Sequence, residues 1–163
     1  MINSSINSNH HPKFFNPSLK DYPSRMFSYL DMTEYIIKNY SGMVVEIGVG
    51  YNFYVGKALY EKMRYFATDI KEIKNPPFNM VMDDVFDPDL PLYEGAKLLL
   101  SINPPEEIQP AICEIGRMVS SSVIIKPLND ETIDFKRYYK EVSIINYKKA
   151  RFYELKSPRG SSS

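Results

Sequence analysis

The stretch Met43-Val44-Val45-Glu46-Ile47-Gly48-Val49-Gly50-Tyr51-Asn52 decides the fold. An apolar run of strand length carries an acid near its end and then breaks into Gly-x-Gly. Val55, Ala58, Leu59 and Met63 follow at helical spacing. A buried strand, an acid, a glycine turn and a helix, in that order, make the nucleotide cradle of an α/β sheet. The glycines let the backbone turn sharply and come close to a ligand where a side chain would collide.

Similar units run outward from this one. Upstream, a helix is predicted to begin near Asp31, with Glu34 three residues later in a capping-box arrangement. Ile36, Ile37 and Tyr40 give it an apolar side, and Gly42 stops it. Downstream, residues 65–68 read as a strand ending in Asp69, and residues 71–78 as a polar, proline-broken loop. Residues 80–82 form a short strand ending in Asp83-Asp84, and a loop then passes through Pro88 and Pro91. Residues 96–102 contain Leu98-Leu99-Leu100, a buried strand running into Asn103-Pro104-Pro105. Glu106 and Glu107 suit a helix opening, Pro110 pushes its true start later, and Ile108, Ile112, Ile115 and Val119 mark its apolar face. Val123-Ile124-Ile125 is a further strand closed by Pro127, and a helix is expected over 130–142. Residues 144–147 and 152–155 pair as a hairpin across Lys148-Lys149-Ala150.

This alternation predicts an α/β fold: a three-layer, Rossmann-like, mostly parallel sheet with a C-terminal β-hairpin. The expected organisation is a flexible N-terminal tail (1–23), one domain (24–156) and a flexible C-terminal tail (157–163), with fraying from Lys156 onward. The glycines and the strand-end acids Glu46, Asp69 and Asp84 all fall where such sheets bind ligands, at the carboxyl ends of the strands.

Composition narrows the function. The 163 residues carry 20 Lys plus Arg and 20 Asp plus Glu, so the net charge is zero. The basic excess of a duplex-binding domain is absent, and nucleic acid is not an expected partner. Cys113 is the single cysteine, placed in an amphipathic stretch as a buried, inert thiol. No apolar run approaches membrane-spanning length, so the expected location is the cytoplasm, without membrane association. His10 and His11 lie in the polar tail with no Cys or carboxylate at a useful spacing, and no metal is expected. Phe14, Phe15, Tyr22 and Phe27 are aromatics of a kind that docks a tail onto a surface.

The nucleotide is the remaining question. Asp69 lies 19 residues beyond Gly50, where a dinucleotide fold places its ribose acid. The third glycine of Gly-x-Gly-x-x-Gly is missing, however, because position 53 is Phe53.

Glu46-Ile47-Gly48-Val49-Gly50-Tyr51-Asn52 resembles the first motif of class I S-adenosylmethionine-dependent methyltransferases, E/D-x-G-x-G-x-G. Asp69 looks like that family's ribose acid, Asp83-Asp84-Val85 like its adenine-side segment, and Asn103-Pro104-Pro105 like the end of its fourth strand beside the transferred methyl. The resemblance covers residues 43–155. It implies S-adenosylmethionine as cofactor, held by Glu46, Gly48, Gly50, Asn52, Asp69, Ile70, Asp84, Val85 and Asn103, with Asn103 also the catalytic candidate. Asn52 replaces the third glycine, and Asn tolerates left-handed backbone angles. Glu106 stands where amino-methylating enzymes carry an aromatic, so nucleobase methylation is not implied. Asn103 and the prolines have a plainer reading too, as the start of a helix.

The 44–50 stretch, with Ser101-Ile102-Asn103-Pro104-Pro105-Glu106-Glu107 and Val123-Ile124-Ile125-Lys126-Pro127-Leu128, is also similar to an uncharacterised archaeal family of short, truncated methyltransferase-like proteins. The expectation is therefore a small methyltransferase, with a partner protein presenting its substrate. The alternative is a non-catalytic nucleotide-binding or scaffold domain. Glu46, an acid in an apolar strand, needs a partner such as backbone amides or a ligand amine.

Overall fold

The computed structural model describes residues 24–50 and 52–158. Seven strands form one sheet: β1 (Met43–Ile47), β2 (Arg64–Asp69), β3 (Met80–Met82), β4 (Ala96–Ile102), β5 (Ser122–Lys126), β6 (Glu141–Tyr147) and β7 (Ala150–Lys156). Their order is β3-β2-β1-β4-β5-β7-β6. The first five strands are parallel, and β7 runs antiparallel between β5 and β6. Among the described residues three α-helices connect or flank them: α1 (Ser24–Asn39), α2 (Tyr54–Lys62) and α3 (Gln109–Met118). The chain builds outward from β1 to one side and then returns to place β4 on the other. The crevice between the ends of β1 and β4 is therefore the topological switch point.

Both faces of β1 are covered, so its residues are buried without alternation. Val44 packs with Met32, Ile36, Val55 and Leu59 beneath α1 and α2. Val45 and Ile47 pack with Ile112, Cys113 and Ile115 of α3 on the opposite face. The result is three layers. Burial pushes the Cys113 thiol up to about 12, which leaves it protonated and unreactive.

Gly56, inside α2, is required by packing. A Cβ there would collide with the Tyr65 hydroxyl and lie 2.7 Å from the Phe78 ring. Gly56→Ala is expected to destabilise the fold by about 1–3 kcal/mol, despite alanine's better helix propensity, as measured by urea denaturation.

Several sequence expectations need correction. α1 starts at Ser24, seven residues before the predicted Asp31. Asp31 and Glu34 do not cap it; Asp31 Oδ2 accepts from the Lys149 N–H (2.9 Å), and Glu34 pairs with Lys148 (2.6 Å) and Lys38 (3.2 Å). The two acids fasten the hairpin tip to α1 instead.

The helix expected over 130–142 does not form. Only a 3-10 turn, Phe135–Arg137, is present, and β6 begins at Glu141. Asp130 takes a left-handed φ of 53°, and that single turn already buries both Phe135 and Tyr139.

The hairpin turn holds two residues, Lys148 and Lys149, because Tyr147 pairs with Ala150. Lys148 supplies the positive φ, 52°, that such a turn requires. Lys156 and Ser157, expected to fray, are held: Lys156 closes β7, and the buried Ser157 donates its N–H to Ser122 Oγ (3.1 Å). The expectations for the 1–23 tail, including His10, His11, Phe14, Phe15 and Tyr22, lie outside the described residues, as do 159–163. Phe27 is described, as part of α1. Among the described residues no helix is long and apolar enough to cross a membrane.

Candidate functional site

A cleft of about 280 Å3 opens at the carboxyl ends of the parallel strands, at the switch point. Gly48 forms its base, Asp69 and Ile70 one wall, the loop after β3 the adjoining wall, and Asn103, Pro104 and Pro105 the far end. Each wall is the residue or loop that directly follows a strand, so the sheet register fixes their relative heights.

The glycine turn works as its composition suggests. Gly48 and Gly50 have φ values of 72° and 56°, and, chain neighbours aside, no atom of the described residues lies within 4 Å of a Cβ built on either. Among those residues the space beside the backbone is open. Gly48 donates its N–H to Thr68 O (2.8 Å), and Gly50 donates to Asp69 Oδ2 (2.9 Å). Asp69 thus braces the turn, while its Oδ1 accepts from the Lys71 N–H (2.9 Å). Each carboxylate oxygen keeps a further lone pair for a ligand hydroxyl.

Asn52 Oδ1 accepts from the Tyr54 N–H (3.3 Å) at the start of α2. The left-handed turn expected at Asn52 involves Tyr51, which lies outside the described residues.

Glu46 is not at the cleft surface. It points beneath α2, 1 % exposed, and among the described residues its partner is Tyr65, which donates its hydroxyl to Glu46 Oε1 (2.7 Å). Burial raises its carboxyl to about 8, against a smaller lowering by the Tyr65 bond. Burial and the neighbouring carboxyl likewise raise the Tyr65 phenol, so it stays a donor. The pair anchors the end of β1 under the glycine turn.

Asp84 and Val85 sit on the wall after β3. Asp84 Oδ1 accepts from the Phe86 N–H (2.9 Å). Ile70 (62 % exposed) and Phe86 (67 % exposed) are large apolar side chains left at the cleft rim. A planar apolar ligand is the kind of group that would cover them. Phe86 escaped the sequence reading, as did Thr68 and Tyr93 beneath the wall. The only available signal was that Phe86 continues the Asp83-Asp84-Val85 segment.

At the far end, Asn103 has a left-handed φ of 55°, and its N–H donates to Lys126 O (2.7 Å). It does not open a helix. α3 starts at Gln109, after a 3-10 turn at Glu106–Ile108, and Asn103 Nδ2 reaches Tyr29 Oη of α1 at 3.4 Å. Its Oδ1 remains the acceptor. Buried Gln109 fixes this end, donating to Pro104 O (3.3 Å) and Glu131 O (2.9 Å) and accepting from the Ile133 N–H (3.2 Å). Lys126 donates to Arg151 O (3.2 Å), and its partial burial lowers its pKa.

Residues 29–157 match an uncharacterised protein family, UPF0146. The chain belongs to that family. A UPF0146 relative from Archaeoglobus fulgidus is 40% identical over 129 residues, covering 78% of this chain and 94% of the relative. One from Methanocaldococcus jannaschii is 35% identical over 115 residues, covering 68% and 80%. No function is named for these UPF0146 relatives.

Among solved structures, the fold is similar to that of an S-adenosyl-L-methionine methyl transferase from Silicibacter pomeroyi. That match has a TM-score of 0.52 at 14% identity and covers 87% of this chain and 99% of the other. It is also similar to magnesium protoporphyrin IX methyltransferase from Synechocystis with bound S-adenosylmethionine, with a TM-score of 0.51 at 11% identity, covering 81% and 78%. At such identities the likeness establishes the fold that UPF0146 shares with class I methyltransferases, and only the fold.

Proposed function

We propose that the cleft binds the adenosyl group of S-adenosylmethionine and that the protein is a small methyltransferase. One observation carries this reading: an open glycine turn, two strand-end acids (Asp69 and Asp84) and the Asn103 carboxamide converge on one cleft at the switch point. The residues fit the group. Gly48 and Gly50 leave room for a close backbone approach. Asp69 offers acceptor capacity to the ribose hydroxyls, and Asp84 offers it to the adenine amine. Ile70 and Phe86 flank the base, with Val85 behind. Glu46 and Asn52 act from behind the turn, by holding β1 and the start of α2.

When bound, the cofactor supplies an electrophilic methyl on a sulfonium, and the protein's task is to position a nucleophile in line with it. Asn103, whose Nδ2 is occupied by Tyr29, presents Oδ1 as an acceptor that orients an N–H-bearing group. The domain has little room for a substrate-recognition insertion, so a partner protein presents the substrate, in the cytoplasm.

A second reading, a non-catalytic adenosyl-binding domain, is favoured by one feature. Among the described residues the cleft is lined by no histidine and so has no obvious general base there. Binding without methyl transfer to any amine or hydroxyl acceptor would select it.

Titration calorimetry tests the shared core of both readings. S-adenosylmethionine and S-adenosylhomocysteine are expected to bind saturably and NAD to fail. Asp69→Ala is expected to weaken adenosyl binding at least about tenfold, since it removes the ribose acceptor and the brace on Gly50. Absence of adenosyl binding at millimolar concentration would overturn the proposal.

A further inference from the structure

Beneath the cleft lies a buried phenol that none of the ligand-facing roles uses. Tyr93 follows a 3-10 turn (Leu90–Leu92) and has no exposed surface. Its Oη lies 2.5 Å from Asp83 Oδ2 and 3.3 Å from Thr68 Oγ1. A phenol has one proton and the Asp83 carboxylate can only accept, so Tyr93 donates to Asp83 and the Thr68 hydroxyl donates to Tyr93.

These bonds join parts of the cleft that are separate in sequence. Thr68 O accepts the Gly48 N–H (2.8 Å) of the glycine turn. Asp83 donates its N–H to Asp69 O (3.1 Å), while its Oδ1 accepts the Asp89 N–H (3.0 Å), closing the loop that carries Asp84, Val85 and Phe86. Apart from these, the loop's bonds among the described residues are local: Asp87 N–H to Asp84 O (3.0 Å) and Phe86 N–H to Asp84 Oδ1. Phe86 itself is largely exposed.

We propose that Tyr93 is a positioning residue for the cleft, a buried pin that fixes the 83–89 loop relative to the glycine turn before ligand arrives. The ligand part of this inference rests on the adenosyl reading above; the pin itself does not. A wall held in place in advance does not have to be ordered at binding, and that difference appears as affinity.

Tyr93→Phe keeps the ring in its packing site and removes only the O–H. Amide hydrogen exchange in the full chain, without ligand, is expected to speed up about tenfold at Phe86 and Asp89, while protection in β1, β4 and β5 stays unchanged. S-adenosylhomocysteine affinity, measured in parallel, is expected to fall about tenfold. Should Tyr93→Phe fail to fold, Asp83→Ala on the half-buried loop removes the same link together with Asp89's own acceptor, so faster exchange at Phe86, whose acceptor Asp84 is untouched, is the result expected and its absence overturns the pin.

Unchanged exchange at Phe86 and Asp89 would overturn the pin. So would loss of protection spread across the sheet, since that marks an ordinary core defect. If wild-type protein binds no adenosyl ligand, the function proposed above fails, and the exchange result still decides the role of Tyr93.

Discussion

Glu46→Gln is expected to abolish a fall in stability that the wild-type protein shows between about pH 4.5 and pH 8. The Glu46 carboxyl, ordinarily near 4.5, is raised to about 8 by burial beneath α2. Between those values the folded protein keeps this proton and the unfolded chain has lost it. The folded state therefore binds more protons, and stability declines as pH rises. The contribution is fully present below the unfolded value and gone above about pH 8. Its slope is roughly 1 kcal/mol per pH unit across the window. Glutamine has the same shape, still accepts from Tyr65 and cannot ionise. The variant should thus start below wild type at pH 5, because its buried N–H2 lacks an acceptor, and lose that disadvantage by pH 8. Denaturant midpoints taken across this range measure both curves; parallel curves would show that Glu46 is already ionised in the fold.

The second large effect is at the glycine turn. Gly48→Val is expected to weaken adenosyl binding at least about a hundredfold in calorimetry. Gly48 has a φ of 72°, where a β-branched residue costs about 1–2 kcal/mol of backbone strain. Its Cβ would project into space that is now open within 4 Å, at the base of the cleft. The isopropyl group would occupy the ligand's approach. Gly48→Ala, with the same strain and less bulk, should lose stability similarly and keep more affinity. That contrast separates steric exclusion from loss of the turn.

What was legible in the sequence follows from how local each cause is. β1 and β4 run where their apolar stretches run, because burial on both faces leaves a continuous signal. The acids at 69 and 84 and the glycines at 48 and 50 announced the cleft because ligand sites in parallel sheets lie just past the strand ends. The errors have distant causes. Asp31 and Glu34 looked like a helix start, but they serve a hairpin tip more than 110 positions away. Phe135 and Tyr139 have helical spacing, which one 3-10 turn also satisfies. Glu46 was recognisable as an acid needing a partner, yet that partner, Tyr65, is supplied by the neighbouring strand. Tyr93 carries no motif, so its link to Asp83 emerges only from the fold.

The central claim, that an adenosyl ligand occupies the switch-point cleft, is tested most directly by titrating labelled protein with S-adenosylhomocysteine and following backbone amide resonances. The account predicts saturable shifts concentrated at Gly48, Gly50, Ile70, Val85 and Phe86, with weaker ones at Asn103 and little change in β6 or in the Arg117–Tyr139 region at the opposite end of the sheet. No shifts at millimolar ligand, or shifts centred away from the glycine turn, would contradict it.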